Sequence, residues 1–178
     1  MDDLKPTAYE QLMTALEEAD ARTRTERADR ITWLAPHRRM PAIVMGRTET
    51  MRVLTEAADA FVSGQFVASL VLVTAFVEHA LMEELQDLGH VQGSCTFERA
   101  IQLARQHQVF EPTLVQRIDD LRLKRNPFTH LKKDGHAHSM GTRFRAGKVH
   151  PIQMIEDDAK EALQVMYEVF RTTLKTIG

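Results

Sequence analysis

The chain has 178 residues, a net charge of −2 and 43% hydrophobic residues. This length fits one domain that can bury a core without disulfides or metals, and the single cysteine, Cys95, excludes an internal disulfide framework. The N-terminus lacks the basic and apolar regions of a secretory signal, so we expect a cytoplasmic protein.

The first predicted helix runs from Ala8 to Ile31. Thr7 and Glu10 have the spacing of a capping box at its start, and apolar residues recur at helical intervals after them. A connection with prolines and a glycine follows. We therefore expect one domain over residues 1–178, with 1–47 as a helical extension and 48–178 as the core bundle.

A second helix is expected to end at Ser63-Gly64, and the next, about Gln65 to Leu88, is apolar around most of its circumference. Such a helix is typical of the centre of a bundle. Its longest apolar run, Phe66 to Val77, is too short to cross a bilayer, so we expect no membrane partner.

Three further helices are predicted. One opens at Thr96 and ends near Val109, one begins at Glu111-Pro112, and the last spans about Ile155 to Ile177, with residues 136–151 as a loop or hairpin. The fold class is all-α: an up-and-down bundle of five to six helices, with a short helical turn at the motif described next.

The stretch from Arg125 to His130 contains Asn126-Pro127, a dipeptide that favours a helix start because Asn caps and Pro suits the first helical position. With Asn126 as the cap, Arg125 and His130 would face each other across the first turn. A fixed cation, a titratable base and a helix N-terminus would then meet at a spot suited to phosphate.

Positive charge is concentrated around this motif. Residues 117–150 hold nine Lys and Arg against three acids, a net charge of +6, which leaves −8 for the rest of the chain. A solvated face is one explanation; RNA binding is the other. The basic residues near the motif that we assign to RNA phosphates are Arg122, Lys124, Lys132, Lys133, Arg143, Arg145 and Lys148.

Arg125 and His130 suit RNA cleavage. A neutral histidine accepts a proton from a hydroxyl, and arginine holds a phosphate and stabilises its developing charge. Without a convincing metal site, the matching reaction uses the RNA's own 2′-OH, which DNA lacks. The alternative is structural: Arg125 would pair with Asp119 or Asp120, and His130 would be an ordinary surface residue.

The segment Asp120 to His130 resembles the signature of the HEPN (higher eukaryotes and prokaryotes nucleotide-binding) superfamily, in which an Arg, commonly followed by Asn, precedes a His by a few residues. Upstream, Ala60 to Leu70 with Glu78 is similar to the superfamily's paired core helices, which carry an inward acid. The likeness covers about Thr48 to Leu174.

The resemblance implies a helical bundle that dimerises symmetrically and brings two copies of the Arg and His into one cleft. It also implies a metal-independent endoribonuclease, used as a toxin with a cognate antitoxin or in phage defence, with no cofactor. Arg125 and His130 would be catalytic, and Asn126 would shape the turn or contact phosphate. Other relatives act without cleavage, as modules for dimerisation or for binding a nucleotide or a partner protein.

Three weaker assignments accompany this interpretation. Glu78 either orients Arg125 or His130, or is a polar residue on the stripe that it shares with Thr74. A zinc site would use four histidines without the spacing of a known zinc motif, so we expect none; they are His130, His136, His138 and His150. Cys95 as a thiol nucleophile has no partner fixed by the sequence.

Overall fold

The computed structural model describes residues 7–38, 48–131 and 135–174, and this part of the chain is all-helical, without a strand. The predicted fold class is confirmed, although seven helices replace the five to six expected. They are α1 (Ala8–Leu34), α2 (Thr48–Val62), α3 (Phe66–Asp87), α4 (Phe97–His107), α5 (Pro112–Thr129), α6 (Met140–Gly147) and α7 (Pro151–Thr173).

Helix α3 is the centre of the bundle and packs against α2, α4, α5 and α7. Ten of its residues are buried, among them Leu70, Val77 and Leu85. Over its 22 residues α3 is long and apolar enough, by length and composition, to cross a membrane, alone among the described helices. Half of its most apolar window is buried inside the bundle, as in a core helix.

Helices α2 and α3 form a close antiparallel pair. Ala57 and Ala58 are fully buried, and the hydroxyl of Ser69 donates to the carbonyl of Ala57 at 2.9 Å, which satisfies a buried polar group. Gly64 in the turn has a φ of +76°, a conformation that L side chains rarely adopt. A Cβ at this position would also lie 3.1 Å from Nη1 of Arg30.

Local signals set most helix starts. The capping box of Thr7 and Glu10 forms at α1, Thr96 caps α4 through the backbone N–H of Arg99, and Pro112 opens α5. The last helix begins earlier than expected, at Pro151, with His150 as its cap. Asp158 therefore lies in its third turn and is buried at 3% exposure.

The segment predicted as loop or hairpin contains helix α6, which accounts for the higher helix count. Ser139 caps it by accepting a hydrogen bond from the N–H of Thr142, and Lys148 ends it in the left-handed conformation. No residue of α6 is buried, so it lies on the surface of the bundle. An ion pair from Arg143 to the buried Asp158 links it to α7.

Candidate active site

The motif lies at the end of a helix, not at the start of one, so the expected cap and separate turn are wrong. Helix α5 continues through Asn126 and Pro127 to Thr129, and the N–H of His130 donates to the carbonyl of Asn126 at 2.9 Å. Pro127 lies inside α5 and has no N–H to donate to the carbonyl of Leu123, and the helix ends two residues later. Phe128, packed against the core, anchors that turn.

This reversal changes the electrostatics of the motif. A helix C-terminus presents unpaired carbonyl groups, which favour a cation there. The predicted anion site at a helix N-terminus is therefore absent at His130. Any phosphate bound at this point has to be held by side chains, and Arg125 is the fixed cation among them.

Arg125 is held on two sides. Its Nη2 lies 3.7 Å from Oε2 of Glu78 on α3, and its Nη1 donates to the hydroxyl of Thr129 at 3.1 Å. The arginine side chain is only 15% exposed, whereas that of Glu78 is 35% exposed. The acid in contact with Arg125 is thus Glu78, on the central helix, whereas Asp119 pairs with other arginines.

His130 lies where the chain leaves α5. Its backbone is extended, with φ −137° and ψ 129°, and the residue is exposed, as is the following Leu131. Asn126, one turn earlier, is half-buried and accepts the N–H of His130. The structure therefore places an exposed imidazole at the end of a helix whose preceding turn carries the anchored Arg125.

Of the five basic residues assigned to RNA that the structure describes, three are paired with acids. Arg122 binds Asp119 at 2.8 Å, and Lys124 and Arg143 converge on Asp158, with Lys124 Nζ 3.2 Å from Oδ1. Burial alone would lower the pKa of Lys124, but its hydrogen bond to Glu161 and the charge of Asp158 outweigh burial and raise it. These three cations are therefore compensated inside the protein.

Two of the remaining basic residues lie at the end of α6, where Arg145 and Lys148 are exposed. Lys132 and Lys133 lie outside the described residues. The +6 segment thus presents less positive charge than its composition suggests, because acids of α3 and α7 neutralise part of it. Arg145 and Lys148 are the described basic candidates best placed for phosphate contacts.

The histidines of the zinc alternative have other contacts. His150 accepts the N–H of Ile152 through Nδ1 at 3.3 Å, as the cap of α7. Nδ1 of His136 accepts the N–H of His138 at 3.3 Å. Within residues 7–38, 48–131 and 135–174, no group of three His, Cys, Asp or Glu could hold a metal ion.

Sequence reasoning missed two contributors to this region. Thr129 reaches Arg125 from one turn along α5, a spacing that side-chain pairs on a helix commonly use. Asp158 lies four residues after Met154 and four before Ala162, both buried on the core face of α7. A charged residue at that period was the available signal that it would be buried and paired.

No protein-family model, no curated protein and no solved structure matches this chain. The resemblance to HEPN sequences in Asp120 to His130, and in Ala60 to Leu70 with Glu78, therefore stays a prediction.

Proposed function

We propose that this protein is a metal-independent endoribonuclease of HEPN type, with Arg125 and His130 as its catalytic residues. One observation supports the proposal above others: a mostly buried arginine, held by Glu78 and Thr129, precedes an exposed histidine at the end of a bundle helix. An arginine fixed in this way loses little conformational freedom when it binds a phosphate.

The reaction assigns one role to each residue. His130 accepts the proton of the RNA 2′-OH as the 2′-oxygen attacks the adjacent phosphorus, and the bond to the 5′-oxygen breaks. Arg125 donates hydrogen bonds to the phosphate oxygens and stabilises the added negative charge. The products are a 2′,3′-cyclic phosphate and a 5′-hydroxyl end. Asn126 shapes the last turn of α5 through its carbonyl, and Arg145 and Lys148 contact flanking phosphates.

The leaving 5′-oxygen also needs a proton, and one histidine per chain cannot be base and acid at the same moment. A symmetric homodimer supplies the second imidazole from its other copy. Such a nuclease would act in the cytoplasm as a toxin or in phage defence, where a cognate antitoxin or regulatory protein keeps it inactive.

A non-catalytic module for dimerisation or for nucleotide or partner binding is the second candidate. Charge compensation favours it: Glu78 neutralises Arg125, and Asp119, Asp158 and Glu161 neutralise three of the other cations. A paired arginine has to exchange its carboxylate for the phosphate before it can act in catalysis.

The test is incubation of RNA with the protein in the presence of a chelator. The wild type should cleave, and His130→Ala should lower the rate by about 100-fold or more, the usual effect of losing a general base. Arg125→Ala should lower it similarly. Both variants should be checked by thermal melting, since Arg125 is mostly buried.

His90→Ala is the matched control, because His90 is exposed in the loop after α3 and stacks only on His107 among the aromatic contacts of the described residues. It should cleave like the wild type. Cleavage that survives both motif substitutions, or that needs a divalent metal, would refute the nuclease. Folded wild-type protein that binds RNA or a nucleotide without cleaving it would favour the second candidate.

A further inference from the structure

The first half of helix α1 carries an apolar stripe that its own bundle leaves uncovered. All residues from 8 to 18 are exposed. Tyr9, Leu12 and Leu16 retain 70%, 56% and 54% of their surface, and they recur at the i, i+3, i+7 spacing of one helix face. Helix α1 attaches to the bundle through its last turns, where Leu34 is buried.

A cleft lies beside those last turns. Its apolar floor is formed by Trp33, Phe66 and Ile152, with charged groups of α1 and α7 at its rim, and its volume is about 340 Å³. Ile152 is 62% exposed there. The cleft can thus bind an amphipathic helix, and it lies at the C-terminal end of the same helix whose N-terminal half carries the stripe.

The stripe and the cleft lie on one band along α1. The band joins two rows of residues spaced by seven: Tyr9, Leu16, Thr23 and Arg30 form one row, and Leu12, Ala19, Glu26 and Trp33 form the other. Its apolar residues are concentrated at the tip, whereas Thr23, Glu26 and Arg30 make its lower part polar, so the band is not a coiled-coil heptad, which needs apolar residues throughout both rows. It begins on the exposed stripe and ends on Glu26, Arg30 and Trp33, which line the cleft.

The charges of α1 are divided along its length. Residues 8–21 contain four acids and no base, whereas residues 22–30 contain four arginines and two acids. Two α1 helices in parallel would place acid beside acid. In antiparallel orientation, the acidic half of each helix lies beside the basic half of the other.

We infer that α1 is a dimerisation arm: the tip of each arm lies antiparallel along a second copy's α1 and covers the cleft at its base. Tyr9 then packs over the partner's Trp33, and Ala19 beside the partner's Thr23. Each contact occurs twice because the interface is two-fold symmetric. A 27-residue helix is about 40 Å long, so the pairing runs the full length of both helices and fills two clefts.

The acidic flank argues against a lipid occupant, since anionic membrane surfaces attract basic amphipathic helices and repel acidic ones. Pairing of the two stripes alone would bury few side chains and bring acids together. The inference does not depend on RNA cleavage, because it uses no residue of the motif.

Sedimentation of the full-length chain tests the arm. The wild type should be a dimer at micromolar concentration. Leu12→Gln should raise the dimer dissociation constant by about tenfold or more, without loss of helix content or melting temperature, since Leu12 is exposed. Leu88→Gln, a matched change at a 50% exposed leucine just after the end of α3, should leave the dimer intact.

Charge reversal tests the orientation and the occupant. Glu17→Arg with Glu18→Arg, and separately Arg22→Glu with Arg24→Glu, should each weaken self-association, because each places like charges at both ends of the pair. An equal mixture of the two variants should form a heterodimer. A monomeric wild type, a Leu12→Gln chain that still dimerises fully, or a mixture that stays monomeric would each overturn the inference.

Discussion

Asp158 offers a sharp test of how the charges around the motif are held. Its carboxylate is 3% exposed and binds both Lys124 and Arg143, whose side chains are 24% and 22% exposed. Asp158→Asn preserves size but removes the charge, leaving two partly buried cations beside each other. Removing one partner of a buried ion pair costs about 3–5 kcal/mol.

Because both cations keep some contact with water and Lys124 retains Glu161, we expect the lower end, about 3 kcal/mol. For a chain of this size that corresponds to a fall of roughly 6–12 °C in melting temperature. Amide hydrogen exchange in α6 should also speed up, because Arg143 is its link to α7.

Urea and thermal denaturation measure the loss of stability, and Glu161→Gln is the control. Glu161 is 44% exposed, so its pair with Lys124 should contribute at most about 1 kcal/mol. If the free energy of unfolding of Asp158→Asn stays within about 1 kcal/mol of the wild type, the reasoning is refuted. Lys124 and Arg143 would then not need the buried carboxylate of Asp158 for stability.

Three further changes have definite expected outcomes. Gly64→Ala should cost about 1 kcal/mol or more in denaturation, because of its φ of +76° and the close Arg30; an unchanged midpoint would contradict this. Thr129→Val should slow RNA cleavage about tenfold at unchanged stability, through loss of the hydrogen bond to Arg125, and Thr129→Ser should not. Burial raises the pKa of Asp119, but hydrogen bonds from two arginines outweigh burial and lower the pKa below 3.8. Asp119→Asn should therefore be less stable than the wild type at neutral pH, and urea titrations should show this difference disappearing as the pH falls through the lowered pKa.

The helices were predictable where the signal was local. Thr7 and Glu10 cap each other within one turn, and the apolar density of α3 identified the central helix before its neighbours were known. These features depend on residues three to four positions apart, so the sequence displays them directly.

The motif was misjudged because a local signal competed with tertiary packing. Asn126-Pro127 suits a helix start, yet Phe128 packs on the core, and Arg125 forms an ion pair with Glu78 and donates to Thr129, which holds the same residues in the last turn of α5. Propensity is overridden when packing stabilises the alternative. The candidate pair itself, Arg125 and His130, was identifiable from the sequence; the helix terminus beside it was not.

The charge composition of residues 117–150 overstated the positive charge on the surface. The partners of Arg117 and Lys124 lie 51 and 37 residues further along the chain, on α7. A count over residues 117–150 includes the cations but omits these acids. The net charge of a segment therefore does not determine its surface potential, because the fold decides which acids from the rest of the chain lie beside its cations.

The two ion pairs between α5 and α7 have a geometric consequence for the candidate site. Arg117 pairs with Glu168, and Lys124 with Glu161. The two cations are seven residues apart on α5, and their two acids are seven residues apart on α7 in the opposite chain direction. Two contacts two turns apart allow one axial alignment of these antiparallel helices. Ion pairs near the surface thus set the position of Arg125 and His130 along the axis of α5. Because salt screens such pairs, added salt should make that position less well defined before it unfolds the apolar core.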